Sequence, residues 1–134
     1  MSSSRVPRRL QDIIDNAQAI FRYTEGMDLT AFEEDHRTHD AVERCLERIS
    51  EAVARLGDMA VHVMPDQPSQ KIRAFGNVLR HEYDEIRQDW LFEIVKAGPR
   101  PARGVCRSAS AVGFIQAAMK TCQARVCWWG NPTA

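Results

Sequence analysis

The sequence predicts an all-α fold, an antiparallel bundle of four to five helices, on two observations. Over most of residues 1–97, apolar side chains recur at intervals of three and four residues, the spacing that places them on one face of an α-helix. Nowhere do apolar and polar residues alternate as they do in a half-buried strand. A length of 134 residues fits one domain with a core of its own.

The first two helices have recognisable ends. Pro7 is predicted to open the first helix, because the N–H that proline lacks would be unpaired at a first helical position, and Gly26 follows its end. Thr30 and Glu33 form the pattern of a capping box, which predicts the start of a long second helix. That helix carries the clearest apolar period in the chain and ends at Gly57, a typical residue after a helix.

Two further helices and a tail are predicted in the second half. Pro65 and Pro68 predict a loop over residues 61–69, with Ser69 as the cap of a third helix through residues 72–86. A fourth helix is predicted over residues 89–96. Residues 1–97 would therefore form the bundle, and residues 98–134 an atypical basic tail with room for one extra helix at residues 109–120.

The charge of the chain is unevenly distributed although its net charge is zero. Residues 1–93 carry 18 acidic and 12 basic side chains, and residues 94–134 carry six basic side chains and no acid. The larger part therefore lacks the basic field of a nonspecific polyanion binder. If this chain handles nucleic acid, it must do so at a local site.

Several classes of protein are not indicated. No apolar run reaches the length of about 18 residues that a membrane span needs, and the first residues have no apolar core of a secretory signal, so a cytoplasmic chain with no membrane role is expected. The four cysteines form no Cys-x-x-Cys pair, so neither structural zinc nor a thioredoxin-type site is indicated. No cofactor is expected.

An acidic turn over residues 33–40 resembles a metal site only superficially. His36 and Asp40 lie four residues apart, which is acceptable spacing for two ligands on one helical face. Arg37 between them argues against a bound cation. A solvated helix face is the preferred interpretation, with a break or bend near His36 to His39, where the apolar pattern is weak.

The third helix carries the densest set of reactive side chains. Asn77, Arg80, His81 and Asp84 share one helical face by their three- and four-residue spacing. Arginine can hold a phosphate bidentately, histidine can move a proton near neutral pH, and asparagine can orient either group. Such a set would serve RNA cleavage without a metal ion. The alternative is a solvated helix face that happens to carry one histidine.

These residues also carry a resemblance to a known family. Residues 72–86, together with the turn Ile49-Ser50-Glu51-Ala52 and residues 90–95, resemble the HepT-like toxins of the HEPN superfamily over roughly residues 8–97. The family motif is Arg-Asn-x-x-x-His-x-Tyr. Asn77, His81 and Tyr83 match it position for position, whereas its leading arginine is replaced by Gly76.

The resemblance implies a fold, an activity and partners. Members of this family are small helical bundles that form homodimers, cleave RNA, and are encoded beside an antitoxin, a nucleotidyltransferase of the MNT type. By resemblance, Tyr83 is the residue that the antitoxin would modify with AMP, adding negative charge and bulk beside His81. A half-buried core tyrosine is the equally plausible alternative for Tyr83.

The missing arginine separates the hypotheses. Arg80 or Arg73 could supply the cation and bind substrate, with His81 as the proton-transfer residue and Asn77 as an orienting group; the chain would then be a metal-independent endoribonuclease toxin. Alternatively, with Gly76 the chain has lost catalysis and is an interaction module that binds a nucleotidyltransferase partner or a nucleotide. Gly76 itself costs about 1 kcal/mol relative to alanine inside a helix, and indicates close helix approach or a tolerated substitution.

The tail departs from what the family would imply. Residues after about Ala97 contain no acid and are rich in arginine, alanine, glycine and cysteine, whereas the family continues with a proline-containing turn and a short helix of mixed charge. A shifted reading frame or a diverged end is the prediction, and translation of the neighbouring frame of the gene tests it.

Overall fold

The structure is a computed structural model that describes residues 5–65, 69–81 and 86–97. Within these ranges the predicted all-α fold is confirmed, because they contain helices and no strand. The described part of the chain contains four longer helices and two short ones, in the order α1 (Arg5–Tyr23), α2 (Leu29–Glu34), α3 (His36–Leu56), α4 (Met59–Val63), α5 (Ser69–His81) and α6 (Gln88–Ala97). The predicted tail and its extra helix lie outside the described residues.

Helix α3 is the centre of the bundle. Helices α1 and α5 both pack against it, and α2 and α6 pack against each other beside it. The apolar stripe predicted for the second helix is buried along its length, with relative exposures of 0–4%. The residues of that stripe are Phe32, Val42, Cys45, Leu46, Ile49, Val53 and Leu56. Helical periodicity therefore identified the core-facing side of the central helix correctly.

Helix boundaries differ from the predictions in places that have local causes. Helix α1 begins at Arg5, two residues before Pro7. The predicted capping box at Thr30 is wrong, because Asp28 is the N-cap of α2, its Oδ1 accepting from the Ala31 N–H at 2.8 Å. The predicted break near His36 is present one residue earlier, at Asp35, which accepts from the Thr38 N–H and caps α3. A carboxylate satisfies a free N–H at a helix start better than a threonine hydroxyl does.

The region predicted as a loop over residues 61–69 contains the end of a short helix. Helix α4 spans Met59–Val63, and the buried side chains of Ala60 and Met64 attach it to the core. Residues 66–68 lie outside the described part of the chain. The predicted fourth helix is confirmed as α6. None of the helices in the described ranges is long and apolar enough to cross a membrane.

Candidate active site

Helix α5 is held against the bundle by the apolar side that its sequence predicts. Ile72, Phe75 and Leu79 are 2–5% exposed. The Phe75 ring meets Trp90 of α6 edge to face, with centroids 5.5 Å apart, a favourable arrangement of two aromatic rings. This packing fixes the rotation of α5, so that the polar residues between its apolar positions face outward or along the α3 side.

Arg80 and Asn77 are brought together as their spacing predicts. The Arg80 Nη2 donates to the Asn77 Oδ1 at 2.8 Å, a contact between residues three apart on one helix. The Arg80 Nη1 also lies 4.0 Å from Glu51 Oε2 on α3. The guanidinium is thus oriented by two groups, and its side chain remains 34% exposed, accessible to an anionic ligand.

Glu51 links this arginine to two other helices. The Arg55 Nε donates to Glu51 Oε1 at 2.7 Å. This hydrogen bond, supported by the charges of Arg55, Arg80 and Arg9 of α1, lowers the pKa of the Glu51 carboxyl. One ionised carboxylate therefore lies among three arginines from three helices. Because the Glu51 and Arg55 side chains are about half exposed and that of Arg80 about one-third, each ion pair contributes about 1 kcal/mol or less to stability.

Gly76 lies where α5 closely approaches α3. It is buried, and a Cβ built on it would overlap both Oγ and Cβ of Ser50. Ser50 is 1% exposed, and its Oγ finds no hydrogen-bond partner among the described residues. Of the two explanations for a glycine inside this helix, the structure therefore shows close helix approach.

His81 is the last residue of α5, is exposed, and directly follows Arg80. Its exposed position leaves the imidazole accessible to a ligand. Tyr83 and Asp84 lie outside the described residues, so their predicted places in the site stay predictions.

Arg73 is directed away from this group. Its Nη2 donates to the Gly57 carbonyl at 3.2 Å, at the C-terminal end of α3, and its Nε is buried without a partner among the described residues. Arg73 therefore contacts the C-terminal end of α3. On α5 it precedes Asn77 by one helical turn. Its role in substrate binding stays a prediction.

The acidic turn is partly a solvated face and partly a buried contact. His36 is exposed and Asp40 has 77% of its side chain exposed, as a solvated helix face requires. The prediction of a solvated face is wrong for His39, which is only 8% exposed. The His39 Nε2 lies 3.0 Å from His36 Nδ1 and 3.3 Å from the Gln88 amide nitrogen of α6. Apolar packing between α2 and α6, including Phe32, encloses the ring. No group of three metal-ligating side chains occurs among the described residues.

Some residues of the site were not predicted as functional. Glu51 and Ser50 come from α3 and Arg9 from α1, far from residue 80 in sequence. The glycine inside α5 was the single signal for Ser50, since it indicated that another helix comes close. Nothing in the local pattern indicates that Glu51 lies near Arg80, or that Arg9 acts on Glu51.

These features define an all-helical protein with a polar Asn-Arg-His group on one helix beside its central helix. The family model described as Ribonuclease HepT-like matches residues 13–103, which is more than half of the chain. The chain belongs to this family of HepT-like ribonucleases.

Two proteins of Methanocaldococcus jannaschii are similar to it. One, named "Putative RNase MJ0127", is 33% identical over 86 residues, covering 64% of this chain and 71% of the relative. Another, named "Putative RNase MJ1380", is 30% identical over 96 residues, covering 72% of this chain and 88% of the relative. No solved structure gives a significant match.

Proposed function

We propose that this chain is a metal-independent endoribonuclease and the toxin of a toxin–antitoxin pair. The observation that supports it best is that Asn77 orients the Arg80 guanidinium and that the exposed His81 is the next residue in the sequence. The chain also belongs to the HepT-like ribonuclease family. The group supplies a phosphate ligand and a proton-transfer residue on adjacent positions.

The proposed reaction needs only these side chains and the RNA itself. His81, in its neutral form, takes the proton of a ribose 2′-hydroxyl. The 2′-oxygen then attacks the adjacent phosphorus, the P–O2′ bond forms and the P–O5′ bond breaks. The products are a 2′,3′-cyclic phosphate and a 5′-hydroxyl. Arg80 stabilises the negative charge that accumulates on the phosphoryl oxygens.

A homodimer would complete the site. The leaving 5′-oxygen needs a proton, and a second copy of His81 in its imidazolium form would supply it across a shared cleft. Two such faces would also double the local positive charge, which a neutral protein needs in order to hold a polyanion. Arg73 would then extend the surface that contacts RNA.

His81 is tested against a matched histidine. His81→Ala should lower the rate of RNA cleavage by about 100-fold or more, the usual contribution of a proton-transfer residue, and should abolish growth arrest on expression. His62 is also exposed, on α4, and His62→Ala should leave both unchanged. Cleavage by the parent should persist in EDTA. Unchanged cleavage in the His81 variant, with a folded protein by circular dichroism, would contradict the proposal.

The antitoxin is proposed to be a nucleotidyltransferase of the MNT type that attaches AMP to Tyr83. A phosphate group two residues from His81 would repel the RNA backbone. Incubation with ATP and the nucleotidyltransferase encoded beside this gene should add one AMP to the parent and none to Tyr83→Phe, as measured by intact-mass spectrometry. The absence of such a neighbouring gene would count against this partnership. A cytoplasmic location is part of the same proposal.

The alternative, a catalytically silent module that binds a nucleotidyltransferase or a nucleotide, is favoured by Gly76 alone. It predicts that the parent binds its partner but leaves RNA intact under every condition in which a related ribonuclease cleaves it. Cleavage by the parent that depends on His81 rejects it.

A further inference from the structure

Position 76 is closed to a side chain by Ser50. A Cβ on residue 76 would overlap Ser50 Oγ and Cβ. Rotation of the serine side chain can move Oγ but leaves Cβ where the α3 backbone holds it. A residue larger than glycine at 76 must therefore push α5 away from α3, or find Ser50 replaced by a residue without a Cβ.

Arg80 lies at the open side of the same position. Its Nη2 is 3.5 Å from the point that a Cβ of residue 76 would occupy. Side chains on a helix lean toward its N-terminus, so an arginine one turn later reaches back over Gly76. Asn77 and Glu51 then orient the guanidinium, at 2.8 and 4.0 Å.

We propose that Gly76 and Ser50 are positioning residues for Arg80, and that the catalytic cation is delivered from position 80 instead of position 76. A side chain at 76 and the Arg80 guanidinium compete for one space beside Ser50. That space holds one arginine, and in this chain the arginine is Arg80, which lies one helical turn after position 76. This inference rests on the proposed ribonuclease function, and it explains why glycine stands where the family motif has arginine.

An arginine exchange tests the proposal through activity. Arg80→Ala should lower the cleavage rate by about 100-fold, the usual loss for one group that stabilises transition-state charge. The triple variant Ser50→Gly, Gly76→Arg, Arg80→Ala returns an arginine to the same space and should cleave within about tenfold of the parent. Its matched control, Ser50→Gly with Arg80→Ala, lacks that arginine and should remain as slow as Arg80→Ala.

Two results of the exchange would overturn the proposal. One is an Arg80→Ala variant that cleaves at the parental rate. The other is a folded triple variant that is no faster than its matched control. Folding is checked by circular dichroism and by the midpoint of thermal unfolding.

A thermal cycle tests the steric part without any activity. In the parent, Gly76→Ala should lower the melting temperature by about 3–10 °C, because the added methyl group overpacks the α3–α5 contact. In a Ser50→Gly background the same change should raise it by a few degrees, about 3–6 °C, because alanine is the better helix former. A rise in both backgrounds would show that Ser50 does not close position 76.

An exposed alanine on the same helix provides the control for helix propensity. Ala74 is exposed, and Ala74→Gly should lower the melting temperature equally in both backgrounds. If the parent cleaves no RNA while the change of sign at position 76 is observed, the ribonuclease function fails and the packing stands. If His81→Ala abolishes cleavage but the arginine exchange fails, the function stands and the positioning role of Gly76 and Ser50 is wrong.

Discussion

Replacing Arg73 by methionine should weaken the bundle, because Arg73 joins α5 to the end of α3. Its Nη2 donates to the Gly57 carbonyl at 3.2 Å, where α3 ends with a glycine at φ 57°. A hydrogen bond from a charged donor contributes about 1.5–3 kcal/mol, and a positive charge at a helix C-terminus adds about 0.3–1 kcal/mol.

Two features of the contact reduce that sum. The Gly57 carbonyl also accepts from the Ala60 N–H at 3.1 Å, so it is not left unpaired when Arg73 is removed. The buried Arg73 Nε, which has no partner among the described residues, is a cost that methionine eliminates. The expected loss for Arg73→Met is therefore about 1–2 kcal/mol in the free energy of unfolding.

Urea denaturation followed by circular dichroism measures this loss. Lys71 is exposed on the same helix, and Lys71→Met removes the same charge without a buried contact, so its change should stay within about 0.5 kcal/mol. Equal stability of the two variants would refute the contribution of the Arg73 contact. The proposed role of Arg73 in RNA binding is tested separately by cleavage kinetics. It predicts a higher KM with unchanged kcat for Arg73→Met.

Two further predictions concern titration and reactivity. Hydrogen bonds from the Thr38 hydroxyl and amide lower the pKa of Asp35. A carboxyl with a lowered pKa in the folded state contributes its full stabilisation above its unfolded pKa of about 3.9. That contribution is lost as the pH falls through the folded pKa. Asp35→Asn, which can still cap α3, should therefore lose less stability than the parent between about pH 4 and pH 2 in urea titrations, and equal acid slopes would contradict this. Burial raises the pKa of the Cys45 thiol, so iodoacetamide at neutral pH should alkylate this residue only after denaturation; peptide mass spectrometry that finds it modified in the native protein would contradict the buried placement.

Much of the bundle follows from the order of apolar residues alone. The buried face of α3 and the apolar side of α5 were predicted by a period that any helix imposes on its side chains. The helix starts at Asp28 and Asp35 were not predicted, because several adjacent polar residues can cap a helix and cap preference differs little among them. The burial of His39 was also not predicted, since it depends on how α2 and α6 pack around the ring.

In the polar group on α5, too, one contact could be predicted from the sequence and others could not. The contact between Asn77 and Arg80 is local, so three-residue spacing was sufficient to predict it. Glu51 of α3 lies near Arg80, and the charge of Arg9 of α1 acts on the same Glu51 carboxyl. No local sequence pattern indicates either proximity. It depends on how the apolar faces of the helices pack against one another.

By itself, the sequence determined the all-α fold, the helix that carries Asn77, Arg80 and His81, and the presence of glycine where the family motif has arginine. Only the tertiary structure decided why that glycine is there. The spacing of residues along one helix fixes which side chains are neighbours on its surface. The distance between two helices is set by the side chains at their crossing, and at this crossing Ser50 leaves no room for a Cβ at residue 76.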